Sequence, residues 1–184
     1  MSREENISVF KDTQKLYSTD TTLRAAIESS LSTQTLMLAS DPLPSHAGGV
    51  RYPQPAYVVV SGKRSFEAAE PYCAAGKRVC VHNFASAGNP GGGVASGAGA
   101  QEECLCRCST LYPCLDSEKM WQEFYLPHRR AGDSLHNDDC IYTPGAVVFK
   151  SDTASPELLP RERWYTVDVL TCAAPNLREQ PSNA

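Results

Sequence analysis

The sequence predicts an α/β protein in which short apolar strands alternate with helices around a glycine-rich loop, and three observations carry that prediction. Short β-branched or apolar runs at 57–60, 78–84, 140–149 and 164–172 are punctuated by helical periodicity and by Pro- and Gly-containing turns. One of these runs feeds Asn89-Pro90-Gly91-Gly92-Gly93, and seven residues further on Gln101-Glu102-Glu103 opens a helix. Strand, helix, strand, glycine loop and helix in that order imply a parallel pair with a right-handed crossover, with ligand bound beyond the carboxyl ends of the strands.

Taken in order, Glu4 to Tyr17 carries Ile7, Val9, Phe10, Leu16 and Tyr17 at loosely helical spacing, with Ser18 and Asp20 as a stop and a fresh N-cap. Thr22 to Ser32 reads as a second helix with Leu23, Ala26, Ile27 and Leu31 on one stripe, and the pair reads as a packed appendage rather than as chemistry. Ala39 to Pro55 reads as a wrapping loop. Tyr57-Val58-Val59-Val60 reads as a strand buried on both faces, Ser65 as the cap of a helix through Ala75 stopped by Gly76, and Arg78 to Phe84 as the next strand. The helix from Gln101 is expected to reach Tyr112, where Pro113 disfavours further turns. Ser117 is placed at the cap of a short helix, followed by a polar loop holding His128, Arg129, Arg130, His136 and Asp138. Two strands around Pro144-Gly145, another loop, and a last strand from Trp164 to Cys172 complete the pattern. One domain is expected, divided into a helical segment and loop (1–55), an α/β core (56–177) and a polar tail (178–184).

With 184 residues and 41% hydrophobic content, the chain is long enough for a genuine core. Its net charge of -4 provides no broad basic face, so direct nucleic-acid binding is not expected, although backbone amides could still hold a phosphate. The N-terminal residues lack the apolar core of a secretory signal and no run is long enough to span a bilayer, which gives the expectation of a soluble, intracellular protein without membrane contact. The eight cysteines are accordingly read as reduced thiols acting as small apolar residues. On a helix Cys106 projects away from Cys104 and Cys108, which argues against zinc, and no metal site is expected.

Three consecutive glycines are costly in backbone entropy and make sense where the main chain adopts unusual dihedrals or approaches a ligand closely. That loop is a candidate cradle for phosphate or sugar, and the carboxylates of Glu102 and Glu103 place an acid at its mouth. A solvated helix start explains the acids alone; the glycine spacing favours a site. Cys104 beside the acids is a poor nucleophile candidate, and Trp121, Phe124 and Tyr125 read as core.

The stretch Val81 to Leu115 resembles the microbial-type poly(ADP-ribose) glycohydrolase domain of the macrodomain superfamily, whose signature is three glycines, six to eight residues, then Gln-Glu-Glu. Weaker similarity runs from Ser8 to Asn176 and includes Tyr142-Thr143-Pro144 and Ala173-Ala174-Pro175-Asn176. The resemblance implies a mixed sheet flanked by helices and hydrolysis of O-glycosidic ADP-ribose linkages, on the polymer or on ADP-ribosylated proteins, without a metal or organic cofactor. It further implies Glu103 as proton donor, Glu102 on ribose hydroxyls, Gln101 orienting loop or sugar, Gly91, Gly92 and Gly93 admitting the distal ribose and diphosphate, and Asn83 and Asn89 flanking the sugar. Two departures stand out: Phe84-Ala85-Ser86 replaces the Phe-Ala-Asn of some members, and family members continue past Asn176 with a second phosphate loop, which a complementing chain would supply. The alternatives are a non-catalytic ADP-ribose-binding module and, more distantly, a metal-binding interaction domain.

Overall fold

The computed structural model describes residues 1–42 and 53–176. The polar tail and most of the expected wrapping loop lie outside the described residues. Four strands form a mixed sheet in the order β1-β3-β4-β2. These are β1 (Thr35–Met37), β2 (Cys80–Ala85), β3 (Cys140–Val148) and β4 (Tyr165–Ala173). β3 pairs antiparallel with β1 and β4, while β2 lies parallel to β4 with Asn83 opposite Thr171 and Phe84 opposite Cys172.

Helices α1 (Arg3–Thr19) and α2 (Thr21–Thr33) begin at side chains that satisfy their free amides. Ser2 and Glu5 form a reciprocal capping box, and Asp20 accepts from Thr22 and Leu23. α3 (Ser65–Ala74) ends before Gly76, which takes a left-handed conformation. α4 (Gln101–Cys108) and α5 (Leu111–Leu115) supply Leu105, Cys106, Cys108, Leu111 and Leu115 to a core closed by Phe10, Phe66, Ile141, Val148, Val167 and Val169. α6 (Glu118–Met120), a π-turn segment (Trp121–Tyr125) and α7 (Leu126–Ala131) run on without interruption, burying Met120, Phe124 and Tyr125.

Several elements differ from the sequence reading. Tyr57 to Val60 forms no strand, and Tyr57 and Val60 are more than 90% exposed. β4, not this run, is the parallel neighbour of β2. Ser65 is the first helical residue rather than the cap, which is Arg64. The helix from Gln101 stops at Cys108 because Ser109 is extended and bridges Val148; Pro113 instead sits in the first turn of α5, where its missing amide hydrogen costs nothing. His128, Arg129 and Arg130 lie on α7 and not in a loop. The runs around Pro144-Gly145 form one strand with an irregularity between Thr143 and Ala146. β1 has no counterpart in the sequence reading, since three residues are too few to show a period. Among the described residues, no helix is long and apolar enough to cross a membrane.

Candidate active site

β2 alternates cleanly: Val81, Asn83 and Ala85 are buried, while Cys80, His82 and Phe84 face outward. It ends directly in the loop 86–100, which returns to α4 beside it. Gln101 makes that junction. Its side-chain amide donates to the His82 carbonyl at 2.7 Å and accepts from the Phe84 amide at 2.9 Å, which substitutes for a neighbouring strand along β2. A further bond to Ser65 Oγ at 3.0 Å ties α3 to the same point.

Glu102 and Glu103, in the first turn of α4, do not extend into water: they are 3% and 7% exposed. Both fold back onto loop amides. Glu102 Oε2 accepts from Ser86 N at 2.8 Å and its Oε1 lies 3.4 Å from Asn83 Nδ2, which also donates to Thr171 Oγ1. Glu103 Oε1 accepts from Gly93 N at 2.8 Å, and its Oε2 is buried with no hydrogen-bond partner. Burial, opposed by the Ser86 amide and Asn83 and reinforced by the charge of Glu103, pushes the Glu102 carboxyl up to about 7. Near neutrality Glu102 is therefore partly protonated.

Gly92 is where the loop and the acids meet. It has φ +57°, and a Cβ there would lie 2.6 Å from Glu103 Oε1 and 3.0 Å from Glu102 Oε2, so both carboxylates converge on one hydrogen-sized gap. From behind, α1 supports the loop: Asn6 Nδ2 donates to the Gly97 carbonyl at 3.0 Å, and Gly97 rests on the Arg3 backbone.

The acids open into a cavity of about 990 Å³, large enough for a dinucleotide-sized ligand. Its walls are the end of β2 from Phe84, the loop residues Ser86 to Asn89 with Gly92 and Gly93, the segment His128 to His136, and Ala174 to Asn176. Of the residues singled out from sequence, Asn89, Gly92, Gly93, Glu102 and Glu103 line this space. Gly91, Asn83 and Gln101 do not; Gly91 packs against Tyr112 and Cys106, and the other two act through β2 and Glu102. Arg129 was not anticipated. Its guanidinium crosses the cavity mouth to the Gly88 carbonyl and Asn89 Oδ1, both at 2.5 Å, while stacking 4.9 Å from the centroid of the Trp121 ring. His128 lies alongside, with Nε2 3.4 Å from Asp139 Oδ2, and burial lowers its pKa despite that carboxylate. Only the three-residue separation of Arg129 from the apolar Leu126 hints at a helical placement, and nothing local links it to Gly88. Among the described residues, no three His, Cys, Asp or Glu side chains are grouped to hold a metal ion.

A mixed sheet between helices, with a glycine loop folded onto a buried carboxylate pair at the end of its parallel strands, defines a macrodomain-like α/β site. The chain belongs to the family described as microbial-type PARG, catalytic domain, whose model matches residues 4–151. It is similar to the crystal structure of poly(ADP-ribose) glycohydrolase from Thermomonospora curvata, with 29% identity and a TM-score of 0.81 over 98% of this chain and 69% of that one. The same enzyme bound to the inhibitor ADP-HPD gives 28% identity and a TM-score of 0.77, covering 98% of this chain and 68% of that chain. Poly(ADP-ribose) glycohydrolase from Deinococcus radiodurans in complex with ADP-ribose is 35% identical with a TM-score of 0.58, over 65% of this chain and 47% of that one. No curated protein matches the sequence.

Proposed function

We propose that this chain hydrolyses O-glycosidic ADP-ribose linkages, in poly(ADP-ribose) or on ADP-ribosylated proteins, with Glu103 as general acid. The observation that carries the assignment is the asymmetry of the two carboxylates. Glu102 has both oxygens engaged, by Ser86 and Asn83, whereas Glu103 has one oxygen fixed by Gly93 and the other buried and unpartnered at the cavity. A ribose leaving oxygen beside that second oxygen would supply its missing partner, and the proton would pass to it as the glycosidic bond breaks through an oxocarbenium-like state. Glu102, held by the strand and loop, would take the ribose hydroxyls. Gly92 and Gly93 keep side chains out of the approach, and Asn89 stands at the entrance.

Similarity to glycohydrolases solved with ADP-ribose and with ADP-HPD supports the ligand class. The test is calorimetric titration with ADP-ribose beside AMP, followed by a turnover assay on poly(ADP-ribose). Selective, saturable binding with turnover is expected. Binding without turnover would leave a binding module, and no binding by the folded chain would sink both readings.

A further inference from the structure

We propose that Cys140 and Cys172 are a disulfide-forming pair, a site of reversible two-electron oxidation that staples β3 to β4 beside the cavity. The two residues are direct partners in the antiparallel register. Directly opposed residues in such a ladder have Cα atoms about 4.5–5.5 Å apart, inside the range of about 4.4–6.8 Å that a disulfide spans. Their sulfurs are already in contact at 3.1 Å. Both side chains are half-buried on the outer face of the sheet, where a small oxidant can reach them.

The other six cysteines are placed differently. Cys106, Cys108 and Cys114 are fully buried, Cys73 donates to the Thr166 carbonyl, Cys104 lies between the guanidinium groups of Arg64 and Arg107, and Cys80 is exposed opposite Asp168. None of them faces a second thiol in the strand register.

With hydrogen peroxide as oxidant, one thiolate attacks a peroxide oxygen and the O–O bond breaks, giving a sulfenic acid and hydroxide. The second sulfur then attacks the sulfenic sulfur, its S–O bond breaks, and a second hydroxide leaves as the S–S bond forms. The two thiol protons convert both hydroxides to water, so two sulfurs lose two electrons and one peroxide gains them. Burial, followed by the hydrogen bond with Cys140, raises the pKa of the Cys172 thiol, so its proton leaves as its sulfur attacks the sulfenic sulfur.

Position gives the staple its consequence. β4 passes from Cys172 directly into Ala174 to Asn176 on the cavity wall. β3 begins one residue after Asp139, which accepts the Ala39 amide at 2.7 Å and faces His128. An S–S bond would fix both approaches to that wall.

The experiment treats the full chain with stoichiometric hydrogen peroxide, alkylates the remaining thiols, and maps peptides by mass spectrometry. The expected result is joint loss of two thiols, a linked peptide pair joining Cys140 to Cys172, alkylated Cys80, and full recovery with dithiothreitol. Amide exchange at 173–176 should slow in the oxidised protein, and the urea midpoint should rise; neither change should occur in the Cys140→Ser/Cys172→Ser variant. Over-oxidation of either sulfur without a linked peptide, a linkage through another cysteine, or alkylation of both residues after peroxide would overturn the proposal. Mapping of the wild-type chain decides the matter even if the double variant fails to fold.

Discussion

Glu103 Oε1 accepts the amide hydrogen of Gly93 at 2.8 Å, so the acid at the start of α4 is oriented by the third glycine of the loop it faces. A carboxamide can accept the same bond but cannot deliver a proton. Glu103→Gln is therefore expected to keep the fold and ADP-ribose affinity while turnover falls by about 10²–10⁴, the usual contribution of a positioned general acid. Parallel calorimetry and product assay check this; retained turnover would remove Glu103 from the proton-donor role.

Gly92→Ala isolates the geometry on which that pair depends. The left-handed conformation costs an L-residue about 1–2 kcal/mol, and here the added carbon would also meet both carboxylates at 2.6 and 3.0 Å. Gly132 has a comparable φ of +61° but open space around its missing Cβ. Urea denaturation should show Gly132→Ala paying the conformational cost alone, and Gly92→Ala losing more stability along with ligand binding. Equal losses would mean that the carboxylates yield freely.

How much of this was legible follows from which signals are local. The glycines and Gln101-Glu102-Glu103 could be read because unusual backbone and adjacent acids leave a mark in consecutive residues. Tyr57 to Val60 misled for the same reason: a β-branched run reports strand propensity, whereas a strand requires an edge to pair with, and this run stays exposed. The break at Ser109 depends on its bridge to Val148, 39 positions away, and the clamp of Arg129 on Gly88 spans 41. Gln101 was singled out, yet its replacement of a neighbouring strand along β2 is a tertiary relation without a sequence pattern. Burial of the acids, invisible locally, is what turns a solvated helix start into a site.

That burial makes stability depend on pH. The Glu102 pKa rises from 4.5 to about 7 on folding, so between those values the folded chain holds more protons than the unfolded one. Its contribution is therefore undiminished below pH 4.5 and is lost as pH rises through about 7, a change of about 3 kcal/mol at 1.36 kcal/mol per unit. Glu102→Gln cannot titrate. Although it gives up one of two acceptors for Ser86 and Asn83, that deficit is constant with pH. The difference in unfolding free energy between wild type and variant should then shift against the wild type from pH 4.5 to 7; a flat difference would mean that Glu102 titrates normally.

Arg129 ties α7 to the loop at a point where the loop has few other fastenings. Its two bonds, to the Gly88 carbonyl and Asn89 Oδ1, lie in solvent and add little to global stability, while Ser86 Oγ adds only local bonds to the amides of Gly88 and Asn89. The residue is exposed and contributes no apolar surface to the core, so Arg129→Ala should leave the urea midpoint nearly unchanged. Release of residues 86–89 would instead appear at the cavity. ADP-ribose affinity is expected to fall by about tenfold, equivalent to about 1.4 kcal/mol of reordering cost. Trp121 fluorescence should change in the free protein because its ring loses the guanidinium 4.9 Å away. Arg129→Lys keeps the charge but cannot bridge both acceptors with a planar fork, so it should behave more like the alanine variant than like wild type. Rescue of affinity by lysine would show that charge at the cavity mouth matters, and that the clamp on the loop does not.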